Sequence, residues 1–318
     1  MKNNNVLITG GAGFIGSHLA ENLVKKNFTV TVLDNLSTGN IENLNSLKGN
    51  NKFHFIEDSI LNENIMNEVI IQNDYVFHLA ASVGVKNIIE NPLNSIINNT
   101  KGTEIVLNFC SKHKKKLIYA STSEIYGKQT KIPLLESDGS YIGSSTKSRW
   151  SYATAKLMEE FLALAHNIEK NLDVIILRFF NTIGPRQSGN YGMVVPNFIQ
   201  KASNNTDLYV HGDGNQKRNF TCVFEVIKCI EKLMKNEDAY GQIFNIGSPH
   251  EISINNLASK IIQKLNSSSK IVHVPYKKVY NDNFEDMERR FPSTKKLEDY
   301  INLKPEKNID QILKELIK

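Results

Sequence analysis

Short apolar runs alternate with amphipathic stretches through the first half of the chain. Six runs have the length and composition of buried β-strands: residues 6–9, 29–33, 53–56, 75–79, 117–120 and 174–178. Several of the stretches between them carry apolar residues at helical spacing. Strands that alternate with helices are typical of a parallel, doubly wound sheet, so the pattern predicts an α/β fold of the Rossmann type.

The pattern changes after Asn181, where prolines and glycines divide the chain into short elements. We therefore predict a Rossmann domain over residues 1–180, which carries the cofactor and catalytic residues. Residues 181–318 are expected to form mainly a smaller, substrate-binding subdomain. No linker separates the two parts cleanly, so they are expected to interlock.

A glycine-rich segment follows the first predicted strand. Residues 9–16 read Thr-Gly-Gly-Ala-Gly-Phe-Ile-Gly, and apolar residues at helical spacing come next. Gly10 allows a tight turn, Gly13 lets the backbone approach a pyrophosphate, and Gly16 lets the helix pack closely on the strand. The helix N-terminus attracts phosphates. The segment therefore predicts a dinucleotide-binding turn.

The second predicted strand ends at Asp34, about twenty residues after the glycines, the spacing of a dinucleotide-binding unit. A carboxylate there accepts hydrogen bonds from both ribose hydroxyls and repels a 2′-phosphate. No Arg or Lys lies between Asp34 and Lys48 to receive such a phosphate. The cofactor is therefore predicted to be NAD rather than NADP.

Tyr152 and Lys156 stand four residues apart, on one face of a predicted helix. Strand 117–120 leads to Thr122, which is expected at the carboxyl edge of the sheet, where ligands bind. These three residues suit proton abstraction from a carbinol, with Tyr152 as base and Thr122 at the substrate hydroxyl. The pKa of Tyr152 must fall by about three units for this role. An adjacent ammonium and the positive nicotinamide both favour the phenolate.

The helix around residues 151–168 is apolar on more than one face, which predicts a homodimer; burial within one subunit is the alternative.

The distribution of charge argues against a nucleic-acid partner. The net charge of +5 is spread along 318 residues, and the basic run at 112–116 is interpreted as a solvated helix end, so no nucleic-acid partner is expected.

The three cysteines cannot all pair and lack the spacing of a metal site, which indicates a reduced, cytoplasmic protein without a metal. No apolar run is long enough to cross a bilayer, so no membrane association is expected.

The ordered set of motifs resembles the extended short-chain dehydrogenase/reductases, specifically their nucleotide-sugar epimerase, dehydratase and decarboxylase branch. Beyond the segments already described, the resemblance covers residues 34–39, 78–81, 99–103, 121–127, 178–181, 184–186, 211–214, Arg218 and 244–247. It implies an NAD-dependent enzyme that acts on a nucleotide-activated sugar, in the biosynthesis of sugars for surface polysaccharides.

The resemblance also implies a role for individual residues. Those implied in cofactor binding are Gly10, Gly13, Phe14, Ile15 and Gly16 at the pyrophosphate, Asp34, Asn35, Ser37, Thr38 and Gly39 at the ribose, Asp58 and Ser59 at the adenine, and Ala80, Ala81, Ser82, Asn99, Tyr152 and Lys156 along the groove. Asn181, Arg218 and Arg290 are similar to residues that hold the diphosphate of the substrate, which guanidinium groups do well.

Ser123 and Glu124 follow Thr122 and are implied in catalysis. Ser123 stands where 4,6-dehydratases have an acidic proton donor, so dehydration is disfavoured. Thr122-Ser123-Glu124 and Arg290 resemble UDP-glucuronate decarboxylases, whereas the segment 184–193 does not. We therefore expect oxidoreduction at C4 of the sugar, ending as a 4-keto sugar or a C4 epimer, with UDP-glucuronate decarboxylation as the alternative. A redox sensor or scaffold that binds NAD without turnover is the alternative from another class.

Overall fold

The computed structural model describes residues 4–84, 88, 90–189, 193–279, 285, 287 and 289–317. Residues 190–192, part of the 184–193 segment used above to weigh the reaction, lie outside this set. The strands are β1 (Asn5–Thr9), β2 (Thr29–Asp34), β3 (Phe53–Glu57), β4 (Tyr75–His78), β5 (Lys116–Thr122), β6 (Val174–Phe179), β7 (Thr182–Ile183), β8 (Leu208–His211), β9 (Lys217–Asn219), β10 (Thr221–Cys222), β11 (Gln242–Ile246), β12 (Glu251–Ser253) and β13 (Ile271–Val274).

The described helices lie between and after these strands. They are α1 (Phe14–Lys25), α2 (Glu63–Gln72), α3 (Pro92–Lys112), α4 (Arg149–Lys170), α5 (Val194–Ser203), α6 (Val223–Leu233), α7 (Ile254–Lys264), α8 (Tyr276–Val279), α9 (Lys295–Ile301) and α10 (Ile309–Leu316). Short 3₁₀ turns occur at Ile41–Leu47, Ser123–Tyr126 and Glu237–Ala239. Within the described ranges, no helix has both the length and the apolar character needed to span a bilayer.

Seven parallel strands form the central sheet, in the order β11-β6-β5-β4-β1-β2-β3. This arrangement confirms the predicted doubly wound α/β fold. Each of the six predicted strands lies within two residues of an observed one. The seventh strand, β11, was not predicted.

Alternate residues of the strands bury opposite faces of the sheet, as the period of two requires. In β1, Ile8 faces a core shared with α1, α6 and α9, whereas Leu7 faces a core shared with α2, α3 and α4. A third core joins α5, α7 and α10 to β8 in the C-terminal part of the chain. The boundary at residue 180 stays a prediction. β11 and α6 follow residue 180 but pack in the Rossmann core.

Helix α4, which carries Tyr152 and Lys156, is fastened to the sheet by a buried ion pair. Arg178 in β6 donates to Glu160 in α4 with an Nη2–Oε2 distance of 2.7 Å, and both side chains are almost fully buried. A second guanidinium nitrogen donates to the hydroxyl of Tyr126 at 2.8 Å. The pair therefore fixes α4 relative to β6. Because β5 is the neighbour of β6 and ends at Thr122, the pair also fixes Tyr152 relative to Thr122.

We predict that Arg178→Met lowers the free energy of unfolding by about 3–5 kcal/mol, because it leaves the Glu160 carboxylate buried without its partner. Chemical denaturation measures the change. Lys260→Met is the control, since it breaks the exposed Lys260–Asp310 pair and should cost less than about 1 kcal/mol. Equal effects of the two substitutions would contradict the assigned role of Arg178.

Candidate active site

One large cleft, with a volume of about 1260 Å³, opens at the carboxyl edge of the central sheet. Its walls include the turns after β1, β4 and β5, and residues from the C-terminal part close the opposite side. β1 lies between β4 and β2 in the sheet. Strands β2 and β3 are added on one side of β1, and β4, β5 and β6 on the other, so the strand order reverses at this point. Ligands bind at such a point in open α/β folds.

The glycine turn has the shape that a dinucleotide pyrophosphate requires. Gly10 has a positive φ of 71°, and a Cβ there would lie 2.7 Å from the backbone nitrogen of Ala80. A Cβ on Gly16 would lie 2.4 Å from the carbonyl oxygen of Gly10. Gly13 caps α1 without any side chain, so the first backbone N–H groups of the helix can donate to a phosphate. The turn therefore fits the cofactor predicted from the sequence.

Asp34 lies at the end of β2 on the wall of the cleft. Its Oδ2 accepts from the backbone N–H of Ala12 at 3.0 Å, and its Oδ1 accepts from that of Leu36 at 2.8 Å. Burial raises the pKa of Asp34, and these two bonds offset part of the rise. Each carboxylate oxygen can accept a further hydrogen bond. Asp34 can therefore order its own loop and still receive ribose hydroxyls.

Most of the residues implied in cofactor binding line the cleft: Gly10, Gly13, Phe14, Ile15, Gly16, Asp34, Asn35, Ser37, Thr38, Asp58, Ser59, Ala80, Ala81, Ser82, Tyr152 and Lys156. Two lie behind the wall. A Cβ on Gly39 would lie 2.9 Å from the Asp34 carboxylate, so Gly39 makes room for that side chain. Asn99 is buried, and its amide accepts from the backbone N–H of Ser82 at 2.7 Å. Both residues shape the cleft indirectly.

Thr122 and Tyr152 meet at the carboxyl end of β5. The Thr122 hydroxyl accepts from the backbone N–H of Glu124 at 3.2 Å, which caps the short 3₁₀ turn. It also lies close enough to the Tyr152 hydroxyl to lower the pKa of that phenol by hydrogen bonding. Burial, together with the negative charges of Glu124 and Glu159, raises the pKa of Tyr152 by more than Thr122 and Arg149 lower it. The side chains alone therefore do not make Tyr152 a base.

Lys156 donates to three partners. Its Nζ lies 3.1 Å from the Tyr119 hydroxyl, 3.1 Å from the carbonyl oxygen of Ala120 and 3.1 Å from Oε2 of Glu159. An ammonium group has three hydrogens, so these bonds use all of its donors. A ribose hydroxyl that binds Lys156 must therefore replace one of these partners or share a hydrogen with it.

Glu124 is surrounded by arginines. Arg149 donates to both of its oxygens, with an Nη2–Oε1 distance of 2.9 Å for one bond. Nη1 of Arg290 lies 3.6 Å from Oε1 of Glu124 and 3.5 Å from Oγ of Ser123. Burial alone would raise the pKa of Glu124, but Arg149, Arg290 and Arg218 hold it below its ordinary value. Glu124 is thus an ionised carboxylate beside two guanidinium groups.

The three residues implied in diphosphate binding all line the cleft, but at different places. Asn181 donates to the carbonyl oxygen of Asn219 at 3.0 Å, and Arg218 donates to that of Lys217 at 2.9 Å. Arg290 instead lies at Ser123 and Glu124. The structure therefore places Arg290 beside the catalytic residues. The resemblance implied a diphosphate contact for Arg290 and, in the decarboxylase alternative, grouped it with Thr122-Ser123-Glu124.

Sequence reasoning did not single out Arg149, although it lines the cleft and holds Glu124. Arg149 precedes Tyr152 by three residues on α4, so helical spacing places both on one face. That spacing was the available signal. The same spacing relates Lys156 to Glu159, a buried carboxylate that was also not singled out.

Within the described residues, no three His, Cys, Asp or Glu side chains are grouped as a metal site would require. Cys110, Cys222 and Cys229 are buried and form no disulfide. The reduced, cytoplasmic setting stays a prediction.

Comparison with known proteins identifies the family. A family profile described as GDP-mannose 4,6 dehydratase matches residues 7–316. A UDP-N-acetyl-alpha-D-glucosaminuronate decarboxylase from Bacillus cytotoxicus is 46% identical over 98% of this chain and 96% of its own length. The chain belongs to the extended short-chain dehydrogenase/reductase family. Enzymes of this branch modify nucleotide sugars and use NAD, as the sequence predicted.

Two further relatives bear on the reaction. UDP-glucuronic acid decarboxylase 1 from Xenopus tropicalis is 33% identical over 92% of this chain and 66% of its own length. A solved UDP-N-acetylglucosamine 4-epimerase from Methanobrevibacter ruminantium, in complex with UDP-N-acetylmuramic acid, is 30% identical with a TM-score of 0.86, over 100% of this chain and 99% of that one. The sequence relatives favour the decarboxylase alternative over the 4-keto sugar or C4 epimer that we preferred from the sequence.

We predict that Tyr152→Phe retains NAD binding and loses turnover of the sugar. The ring still packs, but the group that accepts the proton is gone, so kcat should fall by at least about a thousandfold. Calorimetric titration with NAD checks binding, and a product assay checks turnover. A variant that kept more than about a tenth of kcat would exclude Tyr152 as the base.

Proposed function

We propose that this protein decarboxylates a UDP-linked hexuronate after oxidation of the sugar at C4. The proposal rests mainly on Arg290, whose guanidinium lies beside Ser123 and Glu124. A cation at the catalytic residues suits a substrate with a carboxylate next to the reacting carbon. The two decarboxylase relatives support the same reaction.

The chemistry explains why oxidation and decarboxylation belong together. When bound, NAD supplies a reversible two-electron oxidation of the C4 carbinol. A ketone at C4 is β to the C6 carboxylate of a hexuronate. The C5–C6 bond can then break with release of carbon dioxide, and its electron pair passes to C5 and the C4 oxygen as an enolate. Protonation at C5 and reduction at C4 complete the reaction without a net redox change.

Each residue of the catalytic group has a role in this proposal. Tyr152 accepts the proton of the C4 hydroxyl, and Thr122, which lies beside the Tyr152 hydroxyl, orients the same substrate group. Arg290 holds the C6 carboxylate, and Ser123 lies within reach of the same group. Glu124, held by Arg149, faces the sugar as an oriented acceptor for its hydroxyls.

The charges at the catalytic residues also favour an acidic sugar. Arg149 and Arg290 carry two positive charges opposite the single carboxylate of Glu124, and Arg218 adds a third nearby. A carboxylate on the sugar adds a charged acceptor for these donors, which a neutral hexose does not provide. Since the Bacillus cytotoxicus relative acts on UDP-N-acetyl-alpha-D-glucosaminuronate, that sugar is the first substrate to test.

We predict that the wild-type protein releases carbon dioxide from UDP-N-acetylglucosaminuronate labelled at C6. Arg290→Met should lower that rate by about a hundredfold or more, because it removes a charged contact to the reacting carboxylate. Arg289→Met is the matched control: Arg289 is the preceding residue and forms a partly exposed pair with Glu251, so the rate should stay close to wild type.

Three results would contradict the proposal in different ways. The protein could form a 4-keto sugar or a C4 epimer without loss of carbon dioxide, from this sugar, UDP-glucuronate or a neutral UDP-sugar. That result would support oxidoreduction at C4 as the complete reaction. Equal effects at Arg289 and Arg290 would remove the assigned role of Arg290. Failure of every nucleotide sugar to raise the melting temperature, with NAD still bound, would indicate a sensor or scaffold.

We also propose that the protein forms a homodimer through α3 and α4. Among the large apolar side chains exposed in the described residues, half lie on these two neighbouring helices: Leu93, Ile96, Ile97, Met158, Phe161 and Ile168. Phe161 and Ile168 are 63% and 78% exposed. Apolar residues concentrated on one face are typical of an interface, and a second copy presents the same face.

Phe161→Glu is predicted to convert the dimer into a monomer, because it introduces charges at the centre of the apolar face. Light scattering coupled to gel filtration measures the mass. The control is Ile71→Glu, which changes an exposed residue on α2 and should leave the mass unchanged. A wild-type protein that is monomeric at micromolar concentration would refute the dimer.

A further inference from the structure

A second carboxylate is buried directly behind the catalytic lysine. Glu159 lies three residues after Lys156 on α4 and is fully inaccessible to solvent. Its Oε2 accepts from Nζ of Lys156 at 3.1 Å, from the Tyr119 hydroxyl at 2.6 Å and from the Thr103 hydroxyl at 2.8 Å. Three donors therefore converge on one oxygen of this buried carboxyl group, and each of them stabilises negative charge there.

This carboxylate gives a direction to a longer chain of hydrogen bonds. Because Thr103 donates to Glu159, its oxygen must accept from Nε2 of His78, which lies at 3.1 Å. Burial and then the charge of Lys156 lower the pKa of His78 to about 3, so the ring is neutral and has one N–H. Nδ1 of His78 therefore accepts from the Thr9 hydroxyl at 2.7 Å. Thr9 directly precedes the Gly10 turn. This series of hydrogen bonds therefore connects the cofactor turn to Lys156.

We propose that Glu159 is a positioning residue that holds the Lys156 ammonium and, by offsetting its charge, keeps Tyr152 protonated until the cofactor is bound. The inference rests on the proposed function, because it concerns the step in which Tyr152 accepts a proton. Glu159 would then influence catalysis through Lys156 and Tyr152, without contact with the substrate.

The charges around Tyr152 support this role. Lys156 is usually expected to favour a phenolate, but here a carboxylate lies 3.1 Å from its nitrogen, so the pair has little net charge. Glu159 is one of the groups that raise the pKa of Tyr152. Among the described residues, Tyr119 from β5, Glu124 from the 3₁₀ turn, and Arg149 and Glu159 from α4 interact electrostatically with Tyr152. Lys156 and Arg290 line the same cleft.

Glu160, the next residue, provides a matched comparison. It is also a buried carboxylate of α4 in an ion pair, but its partners are Arg178 and Ser121. Its charge is not among the main influences on the pKa of Tyr152. Loss of a purely structural carboxylate at either position would affect the stability and placement of α4, but not the pH at which Tyr152 titrates. Only Glu159 is expected to affect the proton affinity of the base.

The experiment compares Glu159→Gln with Glu160→Gln in the pH dependence of kcat/KM for oxidation of the nucleotide sugar. Tyr152 accepts a proton only when it is deprotonated, so the rate falls as the pH drops through its pKa. Loss of the Glu159 charge lowers that pKa, and the acid limb should move to lower pH by about one unit. The Glu160→Gln limb should coincide with the wild type although its melting temperature falls.

The plateau value of kcat in Glu159→Gln should fall about tenfold, because Lys156 keeps a weaker bond at that position. If this variant does not fold, Glu159→Asp is used, because it moves the carboxylate away from Lys156 by one methylene. The acid limb of its kcat/KM profile should also move to lower pH, by less than in Glu159→Gln. An acid limb that stays in place or moves to higher pH would overturn the inference. So would an equal shift in Glu160→Gln.

A measurement without turnover separates this inference from the proposed function. Tyrosine labelled with ¹³C at Cζ reports ionisation by its chemical shift, and the Tyr152 signal is identified by its absence in Tyr152→Phe. In the NAD complex, Glu159→Gln should titrate at lower pH than the wild type. If no uronate is decarboxylated but the titration shifts, the proposed reaction fails and the role of Glu159 stands. An unshifted titration removes that role whatever the reaction is.

Discussion

The active site depends on the attachment of α4 to the sheet by buried charges. Glu160 is paired with Arg178 of β6, and Glu159 accepts from Tyr119 of β5 and from Lys156. A helix that packed only through apolar side chains could slide or rotate with little loss, whereas a buried ion pair loses several kcal/mol when its geometry is disturbed. The positions of Tyr152 and Lys156 over the end of β5 are therefore fixed before any ligand binds.

The sequence predicted the parts of the structure that are encoded locally. Strands β1 to β6 are short apolar runs, and the glycine turn and Asp34 follow fixed spacings after them, so pattern alone located the cofactor cleft. β11 was missed because its sequence contains Asn245, a polar residue that reads as a break. In the structure Asn245 is buried, and its amide donates to the carbonyl oxygens of Leu134 and Ser293. Only the tertiary fold provides those acceptors.

The arrangement of charges in the site could not be predicted in the same way. Arg290 lies 167 residues after Ser123, and no local pattern indicates that the two side chains meet. The resemblance supplied the residue and left two roles open for it, one at the diphosphate and one beside Glu124 in the decarboxylase alternative. The preferred reaction is less well supported than its decarboxylase alternative for a similar reason. One loop segment was weighed against Thr122-Ser123-Glu124 and Arg290 without knowledge of which groups share the catalytic end of the cleft.

The cluster of guanidinium groups around Glu124 has a consequence for the end of the catalytic cycle. If the reaction removes the carboxylate that Arg290 binds, the product lacks the anion that held the substrate there. Carbon dioxide leaves as a neutral gas, and the shortened sugar retains only its diphosphate and hydroxyl contacts. Release of the product then becomes easier at the moment when the chemistry is complete. The same cation that selects the substrate would thereby limit inhibition by accumulated product and make the overall conversion difficult to reverse.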